Sequence, residues 1–143
     1  MYVKITNGQP SQFPYTIEQL LRDNLNTSFP KQISNEILAD YNVYNVTQLD
    51  KPSYDYLVQT IVRGDPVLNN GEWEVGYTIQ NKSQEEAEIN VRLERDSFLQ
   101  ETDWTALSDV TMSSDMTTYR QALRDVPAQE GFPFNVTWPT KPE

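Results

Sequence analysis

The chain has no cysteine and no histidine among its 143 residues. Without cysteine there is no disulfide framework, no thiolate nucleophile and no sulfur-ligated metal. Without histidine the commonest general base and zinc ligand is missing, and a Ser–His–Asp triad cannot be assembled. Glycine is scarce, with five residues scattered along the chain, so no glycine-rich loop cradles a phosphate. Positive charge is scarce too: 11 Lys and Arg stand against 21 Asp and Glu, a net charge of −10. Such a chain repels nucleic acid and anionic membrane surfaces, so neither is expected as a partner. No apolar run reaches the ~18 residues of a membrane span. Met1–Gly8 lacks the apolar centre of a secretory leader, so none is expected there.

What the chain does have is aromatic side chains. Three Trp, eight Tyr and five Phe are too many for a disordered chain, even at a mean hydropathy of −0.66. The length suits one ordinary domain or two very small ones. The expectation is a folded α+β protein with small cores built largely on aromatics.

Tyr2–Thr6 alternates and meets Asn7-Gly8, a short strand and a tight turn. Thr16 and Gln19 have capping-box spacing, and Ile17, Leu20, Leu21 and Leu25 share one helical face. Ser34 can cap a second short helix with Ile33, Ile37 and Leu38 inward. Tyr41–Val46 and Tyr56–Arg63 favour strands, and Asn69-Asn70-Gly71 is a hairpin turn leading into an alternating Glu72–Gln80. These features predict a small antiparallel sheet with short helices over residues 1–80.

Composition shifts at Asn81-Lys82-Ser83. Ser83 and Glu86 match the capping box, and Glu85, Glu86 and Glu88 suit the positive end of a helix. Ala87, Val91 and Phe98 form its apolar row, with Ile89, Leu93 and Leu99 widening it, over about residues 83–101. Ser113 starts a second helix carrying Met116, Tyr119 and Leu123, which Pro127 bounds. The last 17 residues hold four Pro, two Phe and one Trp, which excludes a helix or central strand. Residues 81–143 are therefore expected to form a helical hairpin. Its extended tail returns Phe132, Phe134 and Trp138 onto the helices.

Chemistry is sparse. Glu85, Glu86 and Glu88 could be imagined as an acid/base set, but their placement is that of an acidic first helical turn. Asp103, Asp109 and Asp115 recur every six residues without the glycine a calcium loop requires. No catalytic residue, cofactor site or metal site is expected, and the chain is not read as an enzyme. Trp73 and Trp104 read as core, Asp103 as a loop or cap acceptor, and Arg120 and Arg124 as partners for Glu94 or Asp96.

Four blocks then stand out in order: Thr102-Asp103-Trp104-Thr105; Tyr119-Arg120-Gln121-Ala122-Leu123-Arg124-Asp125; Gly131-Phe132-Pro133; and Trp138-Pro139. Together, over about residues 91–142, they resemble the C-terminal domain of the bacteriophage tail assembly chaperone family. Met116 stands where that family often has a Trp three residues before the Tyr. The resemblance implies a chaperone that binds a trimeric tail fibre protein and assists its folding, the family residues being structural. A lasting place on the fibre tip or baseplate, with host-receptor contact, is the alternative. It also implies action in the host cytoplasm during assembly. A fibre exposes strand edges before its chains pair, and an open edge at Tyr2–Thr6 or Trp73–Gln80 could cover them.

Overall fold

Two asparagine–glycine pairs each turn a strand back on its neighbour, one after Thr6 and one after Asn69. Asn7 and Gly8 both take positive φ (53° and 77°), as do Asn70 and Gly71 (49° and 88°). This two-residue turn matches the twist of a hairpin. The computed structural model describes residues 1–142, in two compact units. One unit comprises Met1–Ser53 and Ile61–Ile79; the other comprises Tyr54–Thr60 and the described residues from Gln80 onward.

In the first unit β1 (Tyr2–Thr6) and β2 (Gln9–Tyr15) form a hairpin. They are followed by α1 (Ile17–Asp23), α2 (Asn35–Asp40) and β3 (Val43–Gln48). Then come β4 (Gln59–Arg63), β5 (Val67–Asn69), β6 (Glu72–Val75) and β7 (Tyr77–Asn81). The larger sheet has the order β2-β1-β3-β6-β5, and β4 pairs with β7 in a second, two-stranded sheet. The α+β class expected from the sequence is the one observed. One pairing, β3 with β6, is parallel. Alternation along a strand cannot reveal this, because direction is decided by the intervening chain.

Both short helices start as their caps dictate. The Thr16 backbone N–H donates to Gln19 Oε1 at 2.8 Å, and the Gln19 N–H donates back to Thr16 Oγ1 at 3.2 Å. Leu20 is buried against Tyr15, Leu38 and Val43. Leu21 and Leu25 face solvent instead of sharing that face. The helix stops at Asp23, where the Asn24 side chain takes the Leu20 carbonyl. A second cluster joins Val3, Val46 and Val75, with Phe13 and Trp73 half-buried beside them.

Three strand expectations change. β2 carries Pro10 and Pro14 and lies at a sheet edge, where prolines are tolerated. Tyr2–Thr6 is therefore interior, between β2 and β3, and offers no open edge. Residues 56–58 form a turn, since Asp55 Oδ1 accepts the Leu57 N–H at 2.9 Å and its carbonyl accepts the Val58 N–H at 3.2 Å. Alternation across Trp73–Gln80 breaks at Gly76, so β6 joins the large sheet and β7 the small one.

The second unit holds α3 (Gln84–Glu101) and α4 (Ser114–Asp125). Val58, Ala87, Val91 and Val126 form its core, with Leu57, Phe132, Val136 and Trp138 packed around them. No helix among the described residues is long and apolar enough to cross a membrane.

Candidate functional site

Serine caps set both helices of the second unit. Ser83 Oγ accepts the Glu86 N–H at 3.2 Å, and Ser113 Oγ accepts the Met116 N–H at 3.2 Å. Glu85 and Glu86 occupy the first turn of α3, where the helix dipole favours acid. At the other end Thr102 stops α3, and Asp103–Ala106 form one 3-10 turn.

The link between the helices runs through a buried arginine whose carboxylate partner is exposed. Arg120 on α4 donates to the Leu99 carbonyl at 2.9 Å, to Thr102 Oγ1 at 2.6 Å and to Asp103 Oδ1 at 2.8 Å. Thr102 is fully buried. Its hydroxyl donates to the Leu99 carbonyl at 3.0 Å while accepting from Arg120. The guanidinium thus adds a charged donor to a carbonyl that the Thr102 N–H already reaches at 3.1 Å, and it holds the 3-10 turn through Asp103. Arg120 therefore pairs with Asp103, not with Glu94 or Asp96. The sequence reading followed helix-to-helix spacing, whereas the turn brings Asp103 to the arginine.

The tail folds back through backbone as well as rings. Gln129 brackets Thr137, accepting its N–H at 2.8 Å and donating to its carbonyl at 2.9 Å. The Asn135 N–H donates to the Gly131 carbonyl at 2.7 Å, closing a tight turn around buried Pro133. Trp138 meets Phe98 edge-on with ring centres 5.3 Å apart, and Arg92 lies 5.0 Å over Phe132. Phe134 stays exposed and takes no part in this clamp. Lys141 pairs with Glu101 at 3.1 Å, a tie between tail and α3 that no local pattern announced.

Of the family-like residues, Thr102, Tyr119, Arg120, Leu123 and Pro133 are buried. Phe132, Trp138, Gly131 and Pro139 are half-buried, while Asp103, Gln121, Arg124 and Asp125 reach solvent. Trp104 is 60% exposed, although the sequence placed it in the core. Thr102 and Thr105 take the inward positions of the 3-10 turn, which leaves the indole outside. It borders a cleft of about 330 Å³ with Thr105, Val110, Met112, Met116 and Pro142. Two of the chain's three methionines line this one cleft.

This surface is suited to binding. Among the described residues no buried side-chain nitrogen or oxygen lacks a partner, and no cluster of three or more acids is placed to hold a metal ion. The cleft has a tryptophan at its rim, flexible thioethers in its wall and Thr111, Ser113 and Lys141 among its polar liners.

The hairpin, its arginine link and its returning tail define a small α-helical module with an exposed aromatic cleft. Residues 88–143 match the family described as phage tail assembly chaperone protein. The similarity to that family is confined to this C-terminal part and supports a general role in phage tail assembly. No curated protein and no solved structure matches the chain.

Proposed function

We propose that this chain is a phage tail assembly chaperone whose partner is the tail fibre protein, and that it assists that protein's folding and trimerisation in the infected cell. The observation that carries this reading is the family match over residues 88–143. The Trp104 cleft supplies its physical means. Exposed Trp104 and Leu107 lie on the loop side of the hairpin, with Met112 and Met116 beside them. A chain of charge −10 keeps a complex soluble while such a patch covers apolar surface on an unpaired fibre chain. The protein acts by binding and not as an enzyme. Its conspicuous acids, Glu85, Glu86 and Asp103, are accounted for by a helix start and by the arginine link.

Titration of the tail fibre protein from the same phage onto this chain tests the cleft. Trp104→Ser should weaken binding by about tenfold or more, as for an aromatic anchor. Its urea midpoint should stay unchanged, because the indole is outside the core. Unchanged affinity in that variant would remove the cleft from the account.

A further inference from the structure

Helix α3 carries apolar side chains on two opposite faces. Ala87 and Val91 face the core. At roughly 100° per residue, Ile89 and Leu93 each lie about 160° around the helix from Val91. They are 51% and 63% exposed, against the expectation that they would widen the core row. A helix that packs along one stripe needs no second one. Beside them Tyr56 is 61% exposed. The segment that carries it is pinned at two points, one on α3 and one just before its cap. The Lys82 ammonium donates to the Tyr56 carbonyl at 2.9 Å, and the Asn90 amide donates to the Leu57 carbonyl at 2.9 Å. A shallow cleft of about 270 Å³ runs between Tyr56 and Leu93. It is built from side chains held in place, and it is separate from the Trp104 cleft.

Charge says what covers this face. Acids surround it: Asp55, Glu85, Glu86, Glu94 and Asp96. The nearby bases are already engaged. Lys82 is shared between Glu86 and the Tyr56 carbonyl, Arg92 is paired with Glu88 at 2.8 Å, and Arg95 with Asp96 at 2.7 Å. Asp55, Glu85 and Glu94 are left without a cation. Glu94 only accepts a long bond, 3.4 Å, from the Tyr56 hydroxyl. An apolar centre with an uncompensated acidic rim matches a ligand with an apolar ridge and basic flanks. Two residues at i and i+4 form the kind of ridge that fits the groove of another helix. We propose that this outward face of α3 docks a cationic amphipathic helix of a second polypeptide. A second copy of this chain would set one acidic rim against another, at −10 apiece.

The test uses the full chain and a synthetic probe, a helical Leu/Lys peptide of about 18 residues, five turns. A Leu/Glu peptide of the same pattern is the control. Amide shifts on adding the Leu/Lys peptide should centre on Tyr56, Ile89 and Leu93, and binding should weaken as salt is raised. Ile89→Gln with Leu93→Gln should weaken it about tenfold or more, with the melting temperature unchanged. Leu93→Lys alone should weaken it by charge repulsion, and Trp104→Ser should leave it intact. Equal binding of the Leu/Glu peptide, shifts centred elsewhere, or full affinity in the Gln and Lys variants would overturn the proposal. Light scattering that shows a dimer abolished by the same substitutions would also overturn it, by giving the face to a second copy. Because the probe is not the fibre, failure here leaves the Trp104 reading standing, and the reverse holds as well.

Discussion

Arg120 shows how much one side chain can hold. Replacing it by Leu removes three donated bonds and leaves the fully buried Thr102 hydroxyl with no donor to accept from, while its own bond to the Leu99 carbonyl remains. The expected loss is about 2–4 kcal/mol in urea unfolding, because hydrogen bonds to charged groups are worth more than neutral ones. The Asp103 end of the link is exposed and adds little to this. Arg120→Lys should recover only part of the loss, since one ammonium cannot reproduce the planar fork. Gly131 is constrained by space alone. A Cβ there would run into the Asn135 carbonyl oxygen and lie 2.9 Å from the Asn135 Cβ. Gly131→Ala should therefore cost about 1–3 kcal/mol, the range for overpacking. In the other unit Asp23 accepts from Tyr15 at 2.7 Å and from Lys4 at 3.1 Å. The Tyr15 hydroxyl, then Lys4, hold its carboxyl below the ordinary value of 3.8. A depressed acid contributes stability above its unfolded value and loses it as pH falls through the folded one. Asp23→Asn should flatten the loss of stability as pH drops below about 4. An unaltered acid limb in that variant would show that the triad has no part in it.

Among the elements, α3 and α4 were the most legible in the sequence and the strands the least. Ser83 and Ser113 announce helix starts, and 3.6-residue periodicity places Ala87, Val91, Tyr119 and Leu123 inside. Val91→Ala should destabilise by about 1–3 kcal/mol and Leu123→Ala by about 2–5, since both are buried. Leu93→Ala should stay within about 0.5 kcal/mol, as for an exposed site. Guanidine melts of the three variants check this contrast directly. Periodicity could not separate Leu93 from the core row, because only tertiary contacts decide which of two apolar stripes is covered. It also missed β2, whose prolines are tolerated at an edge, and the parallel pairing of β3 with β6. Within the site, the family-like blocks were readable, but their arrangement was not. Thr102 and Asp103 look like cap residues, and nothing local says that Arg120 reaches them across 17 or 18 positions. Trp104 reads as core on composition alone. Its exposure follows from the 3-10 turn, which local sequence signals weakly.

For the whole molecule, the charge of −10 and the two units matter most. The C-terminal unit carries the family match, the Trp104 cleft and the acid-rimmed face of α3. The N-terminal unit has its own cores and no match. Its larger sheet ends at β5, where Val67 and Leu68 are exposed beside Pro66, a short and guarded edge. The chaperone reading is tested most directly by expressing the tail fibre protein with and without this chain and weighing the soluble product by light scattering. The account predicts that the fibre protein is soluble and trimeric only when this chain is present, and insoluble or monomeric alone. A fibre protein that reaches its soluble trimer equally well alone, and forms no complex when the two are mixed, would contradict it.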